Sequence, residues 1–352
     1  MKIGIIGLPQ SGKTTVFNAA SGKAEAVGDY SKASHRAIIK VPDARLDKLS
    51  ELVQPKKTTF AEIDYLDIAA FSGKGKQSDA SSMNIPDDLR YSDALMVVIN
   101  CFADDCTPER NFGLFLDEMI LSDQVIIERN IDKKERTAKL TGDKSMASEV
   151  AVLRKCLDAL ENEKPISEIE LNNDELRVLK GFKFLSQKPL LVVLNYSEGD
   201  IGSEQKWLDM FKDKEISGIR EFVSICGNIE MEMAALDAED RTEFLADLGI
   251  ERPAMEVLIQ KSYSLMGLIS YFTVGEPDAH AWTIKSGTNA RKGAGAVHSD
   301  IERGFIRAEV ITYDDFVEHG STPACKEAGK YHVEGKEYLI RDGDIILFRF
   351  NV

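Results

Sequence analysis

Short runs of consecutive apolar residues, separated by polar and helix-compatible stretches, recur along much of the chain. The first run, residues 2–7, is followed by a glycine-bearing turn and then by helix-compatible residues from 14 to 21, which predicts a strand, a loop and a helix. Four more runs have the length of strands: 62–68, 94–101, 189–195 and 220–226. Because near-continuous hydrophobicity is typical of strands buried on both faces, these runs predict a mostly parallel α/β sheet.

The pattern becomes helical between the run at 94–101 and the run at 189–195. Residues 113–187 are rich in Glu, Lys, Leu and Ala and contain no strand-like segment. A short seam with spacings of four and three is formed by Met146, Val150, Leu153, Leu157 and Leu160. A second helix is predicted over 174–187. We therefore expect a coiled-coil-like helical hairpin inserted into the α/β domain, although amphipathic helices packed on the sheet would show the same period.

The last part of the chain mixes strand-like runs with helix-like material, which predicts an α+β module. Its strand-like runs are 268–274, 305–312, 337–341 and 345–350, with a turn signal at Asp342-Gly343-Asp344. The predicted domains are a discontinuous α/β domain (1–112 and 188–266), the helical insertion (113–187) and the C-terminal module (267–352).

Composition and charge narrow the class of protein. A chain of 352 residues is long enough for two or three domains, and 43% hydrophobic with 29% charged residues is ordinary for a globular protein. The net charge of -15 opposes generalised binding to nucleic acid or to an anionic membrane, and we expect no sequence-specific DNA partner.

Cysteine usage and hydropathy predict a cytoplasmic protein. The five cysteines are scattered and form no C-x-x-C pair, which favours reduced thiols. The apolar start at 3–8 is interrupted by Pro9, and no stretch approaches the roughly 20 apolar residues of a membrane span. We expect the chain to be neither exported nor inserted in a membrane.

The most specific motif is a phosphate-binding loop. Gly7-Leu8-Pro9-Gln10-Ser11-Gly12-Lys13-Thr14 matches G-x-x-x-x-G-K-[ST] between a predicted strand and a predicted helix. Backbone N–H groups of such a loop surround phosphates, Lys13 reaches the β- and γ-phosphates, and the Thr14 hydroxyl binds Mg²⁺. We expect Lys13 and Thr14 to serve catalysis. The predicted nucleotide contacts of the loop are Leu8, Pro9, Gln10, Ser11, Gly12, Lys13, Thr14 and Thr15.

A second residue that acts on the Mg²⁺ ion is expected at the end of a neighbouring strand. Asp67 ends one predicted strand and would act on Mg²⁺ through water, while Asp64 in the same run is the competing choice.

A base-reading site is predicted after the next strands. Asn195-Tyr196-Ser197-Glu198 stands where GTPases carry N-K-x-D. Glu198 is one methylene longer than aspartate and Tyr196 replaces lysine, so the geometry that selects guanine should be disturbed. A weaker signal for a backbone contact to the base is Ser224-Ile225-Cys226.

Several stretches carry a resemblance to a known family. They are Gly4-Ile5-Ile6-Gly7-Leu8-Pro9, residues 41–49 with 55–57, Asn195 to Glu198, and the C-terminal segments 281–284, 298–310 and 342–352. On these residues nearly the whole chain resembles the YchF-type, Obg-related P-loop NTPases. The resemblance implies a G domain with an inserted helical domain and a C-terminal TGS domain of the β-grasp type. It also implies ATP preferred over GTP and association with the ribosome, through ribosomal RNA or protein.

Three positions depart from the family pattern. Gln10 stands where the family usually has an asparagine tied to monovalent-cation use, which leaves the use of K⁺ open. The D-x-A-G motif ends in Ala70, whose Cβ restricts the backbone freedom of the switch glycine. The loop after Cys101 contains no histidine, although the family has a candidate catalytic histidine there.

Three function classes remain open on the sequence. The preferred one is slow Mg²⁺-dependent hydrolysis of ATP or GTP coupled to a ribosomal partner, with a partner completing the site because Phe71 stands where a Ras-like enzyme has its water-positioning glutamine. The second is a GTP-binding or nearly inactive nucleotide-gated binding protein. The third, a small-molecule kinase, would transfer phosphate to an acceptor other than water.

Overall fold

The computed structural model describes residues 1–22, 35–68, 87–141 and 145–351 of the chain. Two compact units are found. One consists of Met1–Ala37 with Asp64–Val257, and the other of Ile38–Ile63 with Leu258–Val352.

Two six-stranded sheets account for the described strands. In chain order the strands are β1 (Lys2–Gly7), β2 (His35–Lys40), β3 (Thr58–Thr59), β4 (Glu62–Asp67), β5 (Ala94–Cys101), β6 (Leu190–Tyr196), β7 (Arg220–Ile225), β8 (Leu268–Val274), β9 (Ala279–Lys285), β10 (Phe305–Ile311), β11 (His332–Glu334) and β12 (Ile345–Phe350). The first sheet has the order β2-β4-β1-β5-β6-β7 and the second has the order β11-β10-β12-β8-β9-β3.

The described α-helices lie between these strands. They are α1 (Lys13–Ser21), α2 (Ala44–Val53), α3 (Pro108–Thr141), α4 (Ser145–Glu161), α5 (Asn173–Leu179), α6 (Gln205–Met210), α7 (Gly227–Ala235), α8 (Ala238–Asp247), α9 (Ala254–Leu265), α10 (Ala290–Val297), α11 (Ser299–Arg303), α12 (Tyr313–His319) and α13 (Thr322–Glu327). Within the described ranges, no helix is both long enough and apolar enough to cross a membrane.

The first sheet is parallel in β4-β1-β5-β6-β7, as the continuous apolar runs predict. Every residue of β6 is buried, and β1 is buried after its first residue. This confirms the α/β class. β2 was not predicted, because its three apolar residues, Ala37, Ile38 and Ile39, form too short a run between polar residues.

The inserted hairpin is built from α3 and α4. Its core contains Ile127, Leu153 and Leu160, which are almost completely buried, so the predicted seam on α4 packs against α3. The helix predicted over 174–187 is wrong beyond Leu179. The chain turns after that residue, where Lys183 adopts a left-handed backbone conformation with φ 53° that interrupts a helix.

The sheet of the second unit is mixed. The β8-β9, β10-β12 and β10-β11 pairs are antiparallel, and the β12-β8 and β3-β9 pairs are parallel. The strand predicted at 337–341 is wrong. Of these residues only Leu339 forms a β-bridge, to Asn289. Two backbone hydrogen bonds make this bridge: the Tyr338 carbonyl accepts from the Ala290 N–H, and the Ile340 N–H donates to the Thr288 carbonyl.

Segment 38–63 belongs to this second unit, although it follows the phosphate-binding loop in sequence. Arg45 of α2 bonds to Asp43 and Asp342, and its guanidinium lies 5.3 Å from the ring centroid of Phe272. The Lys57 carbonyl accepts a hydrogen bond from the backbone N–H of Ala279. The compact units thus divide the chain differently from the three predicted domains, whose bounds stay a prediction.

Candidate functional site

The predicted phosphate-binding loop links β1 to α1, and its backbone has two left-handed positions. Gln10 has φ 63° and Gly12 has φ 85°, and Gln10 is exposed. A Cβ on Gly12 would lie 2.0 Å from Nδ2 of Asn195. Conformation and space therefore both require glycine at position 12.

Lys13 begins α1 and turns its ammonium into the floor of the loop. It donates hydrogen bonds to the carboxylate of Asp67 and, at 2.5 Å, to the carbonyl of Ile68. Lys13 and Asp67 are 7% and 3% exposed, so the ion pair is shielded from solvent. Asp67 reaches this position because β4 lies beside β1, with Asp67 in register with Ile5.

The competing carboxylate, Asp64, has a different partner. Its Oδ1 accepts a hydrogen bond from Nε of Arg36 at 2.7 Å. Of the two carboxylates predicted in β4, the structure brings Asp67 to Lys13.

The remaining loop residues line the same turn. Leu8 and Thr14 are half-buried, Pro9 is exposed, and Ser11 and Thr15 are buried. The Ser11 hydroxyl is buried without a hydrogen-bond partner among the described residues. A buried hydroxyl usually has such a partner, and this one packs against Gly7, where an added Cβ would lie 2.4 Å from Oγ of Ser11.

Asn195 joins the loop to the next part of the site. Its Nδ2 donates to the Ser11 carbonyl at 3.0 Å, and its Oδ1 accepts from the Gly227 N–H at 3.0 Å. The predicted base-reading asparagine is therefore 4% exposed and is engaged by protein groups on both sides of its amide.

A cavity of about 350 Å³ opens beside the loop, a volume that suits a small-molecule ligand. It is lined by Gly12, Thr15, Phe102, Asn195, Tyr196, Ser197, Glu198, Gly199 and Asn228. Glu198 is exposed at this lining, whereas Tyr196 is buried and its burial raises the pKa of the phenol. In the described part of the chain, Ser224, Ile225 and Cys226 are buried at the end of β7 and are not part of this lining.

Sequence reasoning missed three residues of the lining, namely Phe102, Asn228 and Gly199, of which Gly199 directly follows the predicted motif at 195–198. Phe102 follows β5 and is 42% exposed, which is unusual for a large apolar side chain. Asn228 is the second residue of α7, at the helix end that follows β7. Both come from chain segments far from the loop, and a polar or aromatic residue directly after a buried strand is the local signal that could have indicated them.

The arrangement fits a Mg²⁺ ion held jointly by protein and phosphate. Asp67 supplies one buried carboxylate, and Thr14 supplies a half-buried hydroxyl one residue after Lys13. Among the described residues, no group of three or more His, Cys, Asp or Glu side chains could form an all-protein metal cage. Mg²⁺ is commonly bound by one or two protein groups together with substrate phosphates and water.

Two of the predicted features fall outside the described residues, namely Ala70 and Phe71. The loop after Cys101 contains no histidine. The five histidines of the sequence lie elsewhere, at His35, His280, His298, His319 and His332.

Known proteins resemble this chain along its whole length. "Ribosome-binding ATPase YchF" of Pasteurella multocida is 36% identical over 362 residues, covering 100% of this chain and 99% of the relative. The protein of the same name from Bacillus subtilis is 37% identical and covers 99% of each chain.

Family and structure comparisons agree with these relatives. The family model YchF-GTPase_C, described as "Protein of unknown function (DUF933)", matches residues 268–351. The solved structure of the Schizosaccharomyces pombe YchF GTPase superposes with a TM-score of 0.86 at 27% identity, covering 99% of this chain and 97% of the other.

Proposed function

Because the chain belongs to the YchF family, we propose that it binds a nucleoside triphosphate with Mg²⁺ and hydrolyses it slowly, ATP in preference to GTP, in a cycle coupled to the ribosome. The observation that carries this proposal is the buried pair of Lys13 and Asp67 beneath a phosphate-binding loop, directly beside a cavity of about 350 Å³.

The loop residues bind and polarise the triphosphate. Lys13 is a compact cation whose bond to Asp67 keeps the ammonium in the floor of the loop, within reach of the β- and γ-phosphates. Gly12 leads directly into α1, so backbone N–H groups and the positive end of the helix dipole face the same ligand. Charge developing on the transferred phosphoryl group would be stabilised there.

The metal site uses few protein groups. Thr14 would bind Mg²⁺ through its hydroxyl, and Asp67 would act through a water molecule. When bound, the ion neutralises charge on the phosphate oxygens. The protein's own part is to keep the Asp67 side chain oriented, which its bond to Lys13 does.

The base would occupy the cavity. Glu198, Asn228 and the ring of Phe102 are the lining groups suited to reading a purine edge and face. Asn195 contributes indirectly by fixing the loop to α7, since both ends of its amide are already bonded. An exposed Glu198, one methylene longer than aspartate, weakens the pairing that selects guanine.

The ribosomal partner comes from the names of the relatives, which are called ribosome-binding ATPases. It implies a cytoplasmic location. We expect the hairpin of α3 and α4 and the second unit to supply the partner surface, because the carboxyl edge of the first sheet is taken up by the nucleotide.

A second candidate is a nucleotide-gated binding protein with almost no turnover. The feature that favours it is the loop after Cys101, which lacks the histidine that the family carries. Single-turnover phosphate release separates the two functions, because a gated binder would retain intact triphosphate through many binding cycles.

The decisive experiment is calorimetric titration of the purified protein with non-hydrolysable ATP and GTP analogues, in the presence and in the absence of purified ribosomes. We expect tighter binding of the ATP analogue and a change in its affinity when ribosomes are present, since coupled sites alter each other's affinity reciprocally. Equal nucleotide affinities that ribosomes leave unchanged would contradict the proposal.

A further inference from the structure

Asn100 and Asn195 occupy matched positions at the ends of neighbouring strands. They are partners in the register of β5 and β6. Asn195 donates to the Ser11 carbonyl at 3.0 Å, and Nδ2 of Asn100 lies 3.5 Å from the Gln10 carbonyl, a longer contact. Two asparagine amides therefore face two consecutive carbonyls of the phosphate-binding loop.

The other end of the Asn100 amide shapes the chain that follows β5. Its Oδ1 accepts hydrogen bonds from the N–H groups of Phe102 at 2.9 Å and Ala103 at 3.1 Å. These two donors fix the orientation of the amide, because only its oxygen can accept, and Nδ2 must then face the loop. Local bonds of this kind determine the path of a turn.

Phe102 is the side chain that this turn presents to the site. Its ring lines the cavity, and its Cε1 lies 3.7 Å from the point that a Cβ on Gly12 would occupy. With 42% of its surface exposed, the ring has a face that is not covered by protein. Aromatic rings of this kind form favourable stacks with nucleobases.

We propose that Asn100 is a positioning residue for nucleotide binding: it holds the turn at Phe102 against the phosphate-binding loop, so that the phenyl ring packs on the base of the bound nucleotide. The inference rests on the proposed function, because it needs a nucleotide in the cavity. Asn100 itself contacts neither the base nor the phosphates. It acts through Phe102 and the Gln10 carbonyl.

A comparison of two ligands tests this role. Calorimetry measures the affinities of the unmodified protein and of Asn100→Ala for the Mg²⁺ complexes of a non-hydrolysable ATP analogue and of inorganic triphosphate, which has no base. Since a hydrogen bond contributes a factor of about two to tenfold, we expect Asn100→Ala to lose about that factor for the ATP analogue and nothing for inorganic triphosphate. Asn100→Ser, which keeps an oxygen for the Phe102 N–H, should recover part of the loss.

Asn172 offers a matched control. Its Oδ1 accepts from the N–H groups of Asp174 and Glu175 at 3.0 and 2.9 Å, the same pattern at the start of α5 in the inserted region. Asn172→Ala should leave both affinities unchanged. A general loss of stability would affect both asparagine variants, whereas a positioning role affects Asn100 alone.

A double-mutant cycle with Phe102→Ala completes the test. If Asn100 acts through the ring, the two substitutions together should weaken binding no more than Phe102→Ala alone. Additive losses, or equal losses for the ATP analogue and inorganic triphosphate, would overturn the proposal and leave nucleotide binding intact. Failure of the unmodified protein to bind the ATP analogue would instead remove the proposed function and this inference together.

Discussion

The ammonium of Lys13 and the carboxylate of Asp67 form a buried ion pair between the start of α1 and the end of β4. The pair joins a group expected to act on phosphate to a group expected to act on metal, so each side chain holds the other in place in a solvent-poor site.

Replacing Lys13 with alanine should abolish triphosphate binding while the protein stays folded. Charge-assisted hydrogen bonds contribute roughly 1.5 to 3 kcal/mol each, so we expect affinity for ATP to fall at least about 100-fold. Calorimetry measures the loss, and circular dichroism checks the fold. Lys48→Ala is a surface control, because Lys48 is half exposed and bonds to Glu51. Undiminished ATP affinity in a folded Lys13→Ala variant would overturn the assignment of the loop.

The two carboxylates of β4 provide a matched pair for the metal site. Removing a side chain that contacts a metal ion through water typically weakens metal binding by about 10- to 100-fold. We expect this loss of Mg²⁺ affinity for Asp67→Asn. Asp64→Asn should bind Mg²⁺-ATP normally, because Asp64 bonds to Arg36. Titration of each variant with Mg²⁺ at a fixed ATP concentration distinguishes them. Equal losses in both variants would show that Asp67 has no special role.

Base preference should depend on Glu198. We expect the unmodified protein to bind ATP more tightly than GTP and Glu198→Asp to shift the ratio toward GTP by about tenfold, since one polar contact contributes on the order of 1 kcal/mol. Adding Tyr196→Lys would complete the GTPase signature, but Tyr196 is 8% exposed, and burying a lysine there should destabilise the fold. Competition binding measures the ratio. A tenfold preference of the unmodified protein for GTP would contradict this reading of the cavity.

The local parts of this site could be predicted from the sequence, and its long-range parts could not. The phosphate-binding loop occupies eight consecutive positions between a strand and a helix, so motif and context agree. Phe102 and Asn228 reach the same cavity from the ends of different strands, and their approach depends on sheet order. The choice between Asp64 and Asp67 likewise needed the register of β4 against β1.

The same reasoning explains the wrong strand prediction at 337–341. Tyr338, Leu339 and Ile340 form a short apolar run of the kind found in strands, but the chain beside them is the start of α10 rather than another strand. A short apolar run does not identify the backbone that faces it.

Stability should fall as pH rises through the range in which Glu230 loses its proton. Burial raises the pKa of Glu230 to about 7 from its ordinary value of 4.5, with nearby Glu256 also raising it and Arg241 lowering it. The folded protein therefore holds an extra proton between these values. The stabilisation is complete below pH 4.5 and is lost as pH approaches 7.

Glu230→Gln should remove this dependence. Its amide oxygen can still accept the hydrogen bond from the Ala254 N–H, which is 2.6 Å from Oε1 of Glu230, without a buried charge. At pH 8 we expect the variant to be more stable than the unmodified protein by roughly 3 kcal/mol, and near pH 5 to be similar. Urea unfolding at both pH values measures this, with Glu51→Gln, at an exposed carboxylate paired with Lys48, as the control. Parallel pH profiles for the unmodified protein and Glu230→Gln would rule out the explanation.

Hydrolysis by the isolated protein should be slow. Lys13 and the loop amides stabilise charge, but in-line attack also needs a group that orients water, and the sequence has Phe71 where related enzymes carry glutamine. Missing groups of this kind reduce turnover by roughly 10³ to 10⁵, so we expect a rate far below one per second and stimulation by a partner or a cation. Steady-state phosphate release decides it, with Lys13→Ala excluding contaminants. Turnover of several per second would reveal an unrecognised catalytic residue.

Segment 38–63 belongs to the second unit, so it cannot complete its folding until the C-terminal part of the chain has been synthesised. Arg45 and its partner Asp342 are 297 positions apart. At about 5 to 20 residues per second, roughly 15 to 60 s passes between the synthesis of one and of the other. β3 lacks its strand partner until β9 has been made, and Arg45 of α2 lacks Asp342 until the end of that interval, so the unit closes only when the last strands have been made. Premature termination before β8 would therefore leave residues 38–63 exposed as a target for chaperones and proteases, well inside a chain whose phosphate-binding loop is already complete.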